Sequence, residues 1–322
     1  MPLQTLRLLL AAATLLAIAP TVSAQDYSTK PIRVIVPFAP GGGSDFIARF
    51  MAQRLSELLG KPFVIESKPG AGGNLGTEQG VRAAADGYTL TLIASSYTVN
   101  PAIHKLNFDP VNEVTPIIQL SRGPLLVLVN PSLGASALQD LIAMAKKKPG
   151  EIMYASSGQG SIIHAATELF NLKAGIKMIH VPYRGTGPAL TDTLAGQTQV
   201  FFSSAATALP HVQSGTLKAL AVTTAKRLPA LPNVPTVAEA GLPGYEVDLW
   251  HGLIAPKGLP HTIADKINKA TNESLTLKDT AEKLATDGVA PAGGTPEQFM
   301  ATIRKEIDLW KKLAANGVIK AE

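Results

Sequence analysis

The sequence predicts an α/β protein with two lobes, each a mainly parallel sheet flanked by helices. Short apolar runs alternate with longer amphipathic runs, and glycine or proline stands at most junctions, which is typical of βαβ units. A unit of strand, glycine-rich loop and helix occurs twice, first near residue 40 and again near residue 158. The chain of 322 residues is long enough for two lobes of ordinary size.

The first 24 residues have the pattern of a secretory signal peptide. Arg7 is their only charge, an apolar run follows, and the segment ends in Val22-Ser23-Ala24, which predicts cleavage after Ala24. A membrane anchor is disfavoured because a span needs roughly 20 apolar residues. The chain has no cysteine, which excludes a disulfide framework and a lipid attached to cysteine. We therefore expect a free protein outside the cytoplasm.

The charge of the chain does not indicate a nucleic-acid partner. The formal net charge is +5, and the basic run Lys146-Lys147-Lys148 ends a predicted helix before Pro149-Gly150, where cations suit the helix dipole. No aromatic platform accompanies the run, so we expect no binding to nucleic acid.

The predicted strands are short β-branched or apolar runs, of which Ile32–Val36 between two prolines is an example. In order they are Ile32–Val36, Phe63–Glu66, Thr89–Ile93, Ile117–Leu120, Leu125–Val129, Ile152–Tyr154, Met178–Val181, Gln199–Phe202 and Leu217–Val222. The predicted helices have apolar residues at helical spacing and end near glycine, lysine or proline. They are Ser44–Leu59, Thr77–Ala84, Leu138–Lys147, Ser161–Leu172, Pro188–Leu194, Ile263–Leu275 and Pro296–Ala314.

The proline-rich stretch Lys226–Gly244 predicts an extended surface connection that ends one lobe. The segment Asp248–Pro256 would then lead back to the other lobe. After the predicted signal peptide, this gives a first lobe of residues 25–124 plus 248–322 and a second lobe of residues 125–247.

The first glycine loop reads Pro37-Phe38-Ala39-Pro40-Gly41-Gly42-Gly43-Ser44-Asp45. Three consecutive glycines free the backbone N–H groups to converge on a ligand, and the helix that follows favours negative charge at its start. The loop lacks the Gly-Lys-Ser/Thr ending of a phosphate-binding P-loop and the G-x-G-x-x-G spacing of a dinucleotide site. The pattern is compatible with a carboxylate or phosphate site and equally with a turn that only tightens a strand–helix connection.

A second loop of the same kind runs from Ala155 to Ser161 and leads into a helix beginning Ile162-Ile163-His164. Two such units in different lobes predict two helix N-termini that face one cleft and supply N–H and hydroxyl donors.

Motifs along the whole mature chain resemble one known family. They are Pro31-Ile32-Arg33 with Pro37-Phe38, Glu66 with Pro69-Gly70-Ala71-Gly72-Gly73, Asp86-Gly87-Tyr88-Thr89-Leu90, Val181-Pro182-Tyr183-Arg184-Gly185, Leu231-Pro232-Asn233-Val234-Pro235-Thr236, and Trp250 with Gly252 and Ala255-Pro256. In order and spacing they resemble the periplasmic solute receptors of tripartite tricarboxylate transporters, also called the Bug family.

The resemblance implies a type II-like periplasmic binding protein with two crossover segments, whose lobes close over a small carboxylate. The ligand would be a di- or tricarboxylate, an amino acid or an aromatic acid, and it would pass to membrane permease subunits. The family holds a ligand carboxylate through backbone groups, small hydroxyls and ordered water rather than an arginine clamp. We expect a periplasmic monomer with no cofactor, no metal and no catalytic residue.

Carried over by position, the ligand-binding residues come from the two loops, from a third loop after Thr89–Ile93, and from two further positions. They are Phe38, Ala39, Pro40, Gly41, Gly42, Gly43, Ser44, Asp45, Ser95, Ser96, Ser157, Gly158, Gly160, Ser161, His164, Arg184 and Ser203.

Several of these residues have a competing structural role. Asp45 would repel a bound carboxylate, so capping of the helix start is the favoured interpretation. His164 could steady its loop or touch the ligand, and as a metal ligand it has only Glu168 nearby. Arg184 could reach a second carboxylate or form a surface salt bridge. Arg122 and Trp250 are expected at the crossovers, as a hinge or surface group and a core group respectively.

Ser203 marks a departure from the family. Many relatives have an acidic residue just after the phenylalanine that ends the strand Gln199–Phe202, whereas this chain reads Phe202-Ser203-Ser204. The change replaces a negative charge with a hydroxyl.

Two other functions compete with a transport receptor. A ligand-loaded sensor component would bind in the same way and dock on a receptor kinase. An exported serine hydrolase would use a loop serine with His164 or His104 as base, but the chain has no G-x-S-x-G elbow and no recognisable order of serine, histidine and acid.

Overall fold

The structure, a computed structural model, describes residues 30–317 and 319; the predicted signal peptide lies outside the described residues. The strands are β1 (Ile32–Val36), β2 (Phe63–Ser67), β3 (Thr89–Ala94), β4 (Val114–Val129), β5 (Met153–Ser156), β6 (Ile179–Pro182), β7 (Val200–Ser204), β8 (Lys218–Val222), β9 (Asp248–Pro256) and β10 (Ala290–Gly293). The helices are α1 (Gly43–Leu59), α2 (Asn74–Val81), α3 (Ser96–Ile103), α4 (Leu138–Lys147), α5 (Ile162–Ala174), α6 (Thr186–Leu194), α7 (Ala205–Gln213), α8 (His261–Thr276), α9 (Lys278–Thr286) and α10 (Pro296–Ala315).

The strands form one mixed sheet in the order β2-β1-β3-β9-β4-β7-β5-β6, and β8 and β10 also pair with β4. The first lobe contains β1–β3, β9, β10 and the start of β4, with α1–α3 and α8–α10. The second lobe contains the end of β4, β5–β8 and α4–α7. This arrangement confirms the predicted two-lobed α/β fold.

Each lobe contains one parallel unit with the same strand order. In the first lobe β1 lies between β2 and β3, and in the second lobe β5 lies between β6 and β7; all four pairings are parallel. The crossover strands β4 and β9 run antiparallel to each other and to their neighbours β7 and β3. Parallel pairing is therefore confined to the outer strands of each lobe, because β4 and β9, which connect the two lobes, run antiparallel to the strands beside them.

Strand β4 is continuous where the sequence predicted two strands, so the predicted break after Leu120 is wrong. Its start pairs with β9 and β10, whereas Leu125–Val129 pair with β7 and β8. Gly123 and Pro124 stand at the change of partners and pair with the start of β9. Glycine and proline there suggested a turn, yet the paired strand keeps the backbone extended.

The core of the first lobe lies on both faces of its sheet. Leu92 packs with residues of α1, α8 and α9, whereas its neighbour Ile93 packs with Trp250 and with Phe299 of α10, because side chains alternate across a strand. The second lobe has one large cluster, which also includes Phe38 and Val99 of the first lobe. The lobes are thus in contact.

Three helices were not predicted. The helices α3 and α7 each contain a proline, Pro101 and Pro210, and α9 follows α8 directly after Leu277. Each has only eight or nine residues, too few for a clear helical period.

Candidate functional site

The two glycine loops meet where the lobes face each other, at the carboxyl ends of β1 and β5. The backbone N–H of Ala39 donates to the carbonyl of Arg184 across the cleft at 3.1 Å. A Cβ placed on Gly43 would lie 2.5 Å from Ser204 Oγ in the second lobe. These contacts define a closed arrangement at the position where open α/β sheets place their ligands.

The cleft between these loops holds a small cavity of about 20 Å³, with room for about one water molecule in this closed arrangement. Its wall combines hydroxyl groups with apolar side chains, and none of its residues carries a charge. The lining residues are Phe38, Gly43, Ser44, Ala94, Ser96, Ser157, Ile162, Ile163, Thr186, Ser204 and Leu249.

Helices α1 and α5 both begin at this cavity. Gly42, at the N-cap of α1, has extended backbone and offers no side-chain cap, so the first N–H groups of α1 depend on other partners. At α5, Ser161 Oγ accepts from the His164 N–H at 3.2 Å. The dipoles of both helices favour an anion between them.

Asp45 shapes the first loop and is not among the residues that line the cavity. Its carboxylate accepts from the Gly41 N–H at 3.1 Å and from Arg49 Nε at 2.9 Å. The negative charge is therefore compensated within the loop and the first turns of α1, but the expected cap is not formed, because the hydrogen bond goes to Gly41 ahead of the helix and no side chain caps its start.

Ser44 lines the cavity and contacts a buried histidine that sequence reasoning missed. Ser44 Oγ lies 3.2 Å from Nε2 of His251, whose Nδ1 lies 3.1 Å from Oγ of Ser121. His251 and Ser121 are paired residues of β9 and β4, each 1% exposed. Burial lowers the pKa of His251 to about 4. The available signal was a lone histidine in the otherwise apolar run of residues 249–256.

Imidazole rings also support the second loop. Gly160 donates its N–H to His164 Nδ1 at 3.4 Å, and the rings of His164 and His180 stack with centroids 4.3 Å apart. Ser156 Oγ lies 2.6 Å from His180 Nε2 and accepts from the Gly158 N–H at 3.1 Å. Burial, with a smaller effect of His164, lowers the pKa of His180 to about 3. His180 and Ser156 were not predicted.

The third loop contributes one serine to the cavity and one to the scaffold. Ser96 lines the cavity. Ser95 instead exchanges hydrogen bonds with the backbone of Trp250: its N–H donates to the Trp250 carbonyl at 3.0 Å, and its Oγ accepts from the Trp250 N–H at 3.2 Å.

Arg184 and Ser203 each lie beside a residue that lines the cavity. The Arg184 side chain is exposed, while Thr186, at the start of α6, faces the cavity. Ser203 is fully buried with its hydroxyl 3.4 Å from the Ser204 carbonyl, and Ser204 lines the cavity. Alternation along β7 directs neighbouring side chains to opposite faces.

Charged groups join the crossover strands outside the cavity. Arg122 of β4 pairs with Asp248 of β9 at 3.3 Å and with Glu306 of α10 at 3.7 Å. Trp250 Nε1 donates to Glu306 at 2.8 Å while its ring packs in the core. Burial raises the pKa of Asp248 and of Glu306. These contacts give Arg122 and Trp250 structural positions at the crossovers, as expected.

Within residues 30–317 and 319, no three metal-ligating side chains come together. In the same part of the chain, every helix is too short or too polar to cross a bilayer.

The fold and the cleft are those of a periplasmic solute-binding protein. A family model described as "Tripartite tricarboxylate transporter family receptor" matches residues 47–317. The chain is 38% identical over 296 residues to protein BugT of Bordetella pertussis (strain Tohama I), with 91% of each chain covered. The chain belongs to this family of tripartite tricarboxylate transporter receptors, which confirms the resemblance seen in the sequence.

Two solved structures are similar to this chain over most of its length. The R. palustris protein Rpa4515, solved with adipate, is 35% identical with a TM-score of 0.89, and the match covers 92% of this chain and 100% of that chain. MatC from Rhodopseudomonas palustris, solved with bound malate, is 31% identical with a TM-score of 0.85, and the match covers 88% and 99% of the two chains.

Proposed function

We propose that this receptor binds one small carboxylate between its lobes and delivers it to the membrane subunits of a tripartite tricarboxylate-type transporter. The observation that carries this proposal is the cavity at the starts of α1 and α5, whose wall contains five hydroxyl side chains and no charged one. Helix N-termini and hydroxyl donors suit a carboxylate without an opposing cation. The adipate and malate in two related structures support the same class of ligand.

The two loops have complementary roles in the proposed site. Backbone groups of Phe38–Gly43 and the hydroxyl of Ser44 hold the ligand from the first lobe, and Ser96 adds a donor beside them. Ser157–Ser161 hold it from the second lobe, with His164 fixing the loop. The exposed side chain of Arg184, near Thr186, can reach a larger ligand at the edge of the site, whereas Ser203 is buried on the face of β7 opposite Ser204 and supports the wall of the site. Asp45 orders the first loop through Gly41 and Arg49.

The mechanism is closure driven by differential affinity. A ligand that touches both loops binds the closed state more tightly than the open one, so its binding energy shifts the population towards closure. We place the lobe boundaries at residues 25–124 plus 248–322 and at 125–247. The change of partners along β4 at Leu125 and the start of β9 at Asp248 support these boundaries.

We also propose export to the periplasm with cleavage after Ala24, and a monomeric receptor. The family's periplasmic location supports export, and N-terminal sequencing of the secreted protein identifies the cleavage site. Light scattering after size exclusion measures the mass in solution.

A thermal-shift screen tests the ligand class. Residues 25–322 are unfolded and refolded to remove carried-over ligand, then mixed with adipate, malate, citrate, aspartate or benzoate; phosphate, sulfate and nucleotides are the controls. At 100 times the dissociation constant, a ligand adds roughly 2.7 kcal/mol, which moves the midpoint by a few degrees. A shift with one group of carboxylates supports the proposal. Shifts only with nucleotides or inorganic anions, or with none of these compounds, contradict it.

Transport has its own test. Deletion of the gene should abolish uptake of the radiolabelled carboxylate identified in the screen, and expression of the intact chain should restore it. Uptake that continues at the normal rate in the deletion strain would overturn the transport role and favour a sensor component.

A further inference from the structure

His251 stands between the proposed carboxylate site and the crossover strands. Its Nε2 faces Ser44 Oγ at 3.2 Å, and its Nδ1 faces Ser121 Oγ at 3.1 Å. Ser44 lines the cavity, whereas Ser121 and His251 are 1% exposed. The three side chains thus form a chain of hydrogen bonds from the buried strands to the ligand cavity.

The number of protons shared by these three side chains limits the hydrogen-bonding states that they can adopt. His251 is fully buried and burial lowers its pKa, so it is neutral at pH 7 and carries one N–H. If the proton is on Nδ1, His251 donates to Ser121, and Ser44 must donate its hydroxyl proton to Nε2. If the proton is on Nε2, His251 donates to Ser44, and Ser121 donates to Nδ1.

The ligand distinguishes these two states. Carboxylate oxygens only accept hydrogen bonds, so Ser44 helps to bind a carboxylate only when its own proton points into the cavity. That orientation requires Ser44 Oγ to accept from the histidine. A Ser44 proton committed to Nε2 would instead turn oxygen lone pairs towards the ligand, and lone pairs repel a carboxylate.

We propose that His251 is a positioning residue, held as the Nε2–H tautomer by Ser121, that fixes the Ser44 hydroxyl as a donor to the ligand carboxylate. The ligand part of this inference rests on the proposed function. His251 does not touch the ligand; it sets the direction of a group that does. The inference also gives Ser121, a crossover residue remote from both loops in sequence, an indirect role in affinity.

Nitrogen NMR of the histidine rings tests the tautomer without any ligand. Residues 25–322 are labelled with ¹⁵N-histidine, and the His251 signals are assigned by their loss in His251→Gln. We expect a protonated, pyrrole-type Nε2 and an unprotonated, pyridine-type Nδ1 at pH 7. A pyrrole-type Nδ1, or a ring protonated on both nitrogens, would overturn the inference. In Ser121→Ala, which removes the donor to Nδ1, we expect the Nδ1–H form to gain population.

Affinity for adipate and malate, measured by calorimetry, tests the consequence. His251→Leu removes the donor to Ser44, and we expect about tenfold or greater loss of affinity for the compound that binds, as for a misdirected hydrogen bond. His251→Gln places an amide near the position of Nε2 and should retain most of the affinity that is lost in His251→Leu. Ser44→Ala removes the donor to the ligand and should weaken binding at least as much as His251→Leu, and the double variant should bind no more weakly than Ser44→Ala, because His251 acts only through the Ser44 hydroxyl.

These measurements distinguish failure of the positioning role from failure of the proposed ligand class. Wild-type affinity in His251→Leu, with melting curves that show a folded protein, would overturn the positioning role. Absence of binding by any carboxylate, together with an Nε2–H ring, would overturn the proposed ligand class and leave the orientation of Ser44 established. If His251→Leu does not fold, Ser121→Ala and the ring tautomer still decide the question.

Discussion

At Gly72 the first lobe comes so close to the second that a side chain has no room. A Cβ there would clash with the carbonyl oxygen of Gln159, and the residue has a positive φ of 60°. Gly60, at the end of α1, has a similar φ of 66° but nothing within 4 Å of a Cβ. The two glycines share a conformation and differ in whether they face the other lobe.

Replacement of Gly72 by alanine should therefore separate closure from stability. Both Gly72→Ala and Gly60→Ala place an L-residue in left-handed conformation, which costs about 1–2 kcal/mol in urea unfolding. We expect only Gly72→Ala to weaken carboxylate binding, by about tenfold or more, because the new methyl group blocks the closed state and not the open one. Equal affinities of the two variants in calorimetry would show that this contact does not limit closure.

Buried neutral histidines should make the protein sensitive to acid. The unfolded chain protonates His251 near its ordinary pKa of 6.5, whereas the folded protein does so at about 4, so the unfolded state binds more protons between these values and stability falls as the pH falls. At 1.36 kcal/mol per unit, His251 accounts for a loss of about 2 kcal/mol between pH 6.5 and 5.

His251→Gln removes this contribution and leaves that of His180. We expect the free energy of unfolding of wild type to decrease more steeply than that of the variant over this range, as measured by urea titrations at intervals of half a pH unit. Parallel curves would show that His251 titrates normally in the folded protein.

At single residues, the sequence predicted groups whose role follows from local pattern. The run Gly41-Gly42-Gly43 indicated the loop, and Ser44, Ser96 and Ser157 line the cavity. It could not predict Thr186, Ser204 or His251, because these residues reach the cavity or Ser44 only through the pairing and packing of elements distant in sequence.

Two helix caps of similar geometry lie in different surroundings. Ser161 caps α5 at the cavity, and Thr295 caps α10 far along the chain; each hydroxyl accepts from an N–H three residues later at 3.2 Å. Loss of such a cap typically costs about 1 kcal/mol of stability. Comparison of the two positions therefore separates an effect on helix stability from an effect on ligand affinity.

We expect Ser161→Ala and Thr295→Ala to lower stability in urea by similar amounts, about 1 kcal/mol each. Only Ser161→Ala should also weaken carboxylate binding, because the cap holds the turn from Gly158 to His164 in place. Thr295→Ser keeps the hydroxyl and should restore stability. If Thr295→Ala reduced affinity as much as Ser161→Ala, the effect would come from global destabilisation.

Element boundaries followed the sequence where local signals were strong. Leu138–Lys147 has the predicted bounds, and α1 ends at Leu59 before Gly60 in left-handed conformation. The helices with internal prolines and the continuous β4 were missed, since tertiary pairing overrides local preference at Pro101, Pro124 and Pro210.

For the whole molecule, the closed state brings α6 against the first loop. A Cβ on Gly42 would lie 2.8 Å from Cβ of Thr186, which is closer than the usual 3.5–4.5 Å of a disulfide, so the two segments must move slightly apart to accept one. Gly42 has φ of −102°, which any residue adopts, and the chain has no cysteine of its own.

The double variant Gly42→Cys and Thr186→Cys should therefore lock the lobes by oxidation. Carboxylate added before oxidation should be released slowly or not at all, and carboxylate added afterwards should fail to enter; reduction should reverse both effects. Measurement of bound radiolabelled ligand after rapid dilution tests this, with each single variant as a control. Free exchange in the oxidised protein would show that closure does not gate the site.

At this scale the sequence predicted two lobes from two glycine loops, but not the position of β9. The segment Asp248–Pro256 was expected only to lead back to the first lobe, whereas it forms a strand between β3 and β4. The order of strands in a sheet depends on long-range pairing, which local periodicity does not encode.

The place of β9 also sets the order in which the chain can acquire its structure during synthesis. Leu92 of β3 pairs with Leu253, and Gln119 of β4 pairs with Gly252, so the first-lobe sheet stays divided until β9 has been made. Every strand of the second lobe precedes β9 in the chain. Pairings across such distances form slowly. The second lobe can thus complete early, and the first lobe, although it begins the described chain, is completed last.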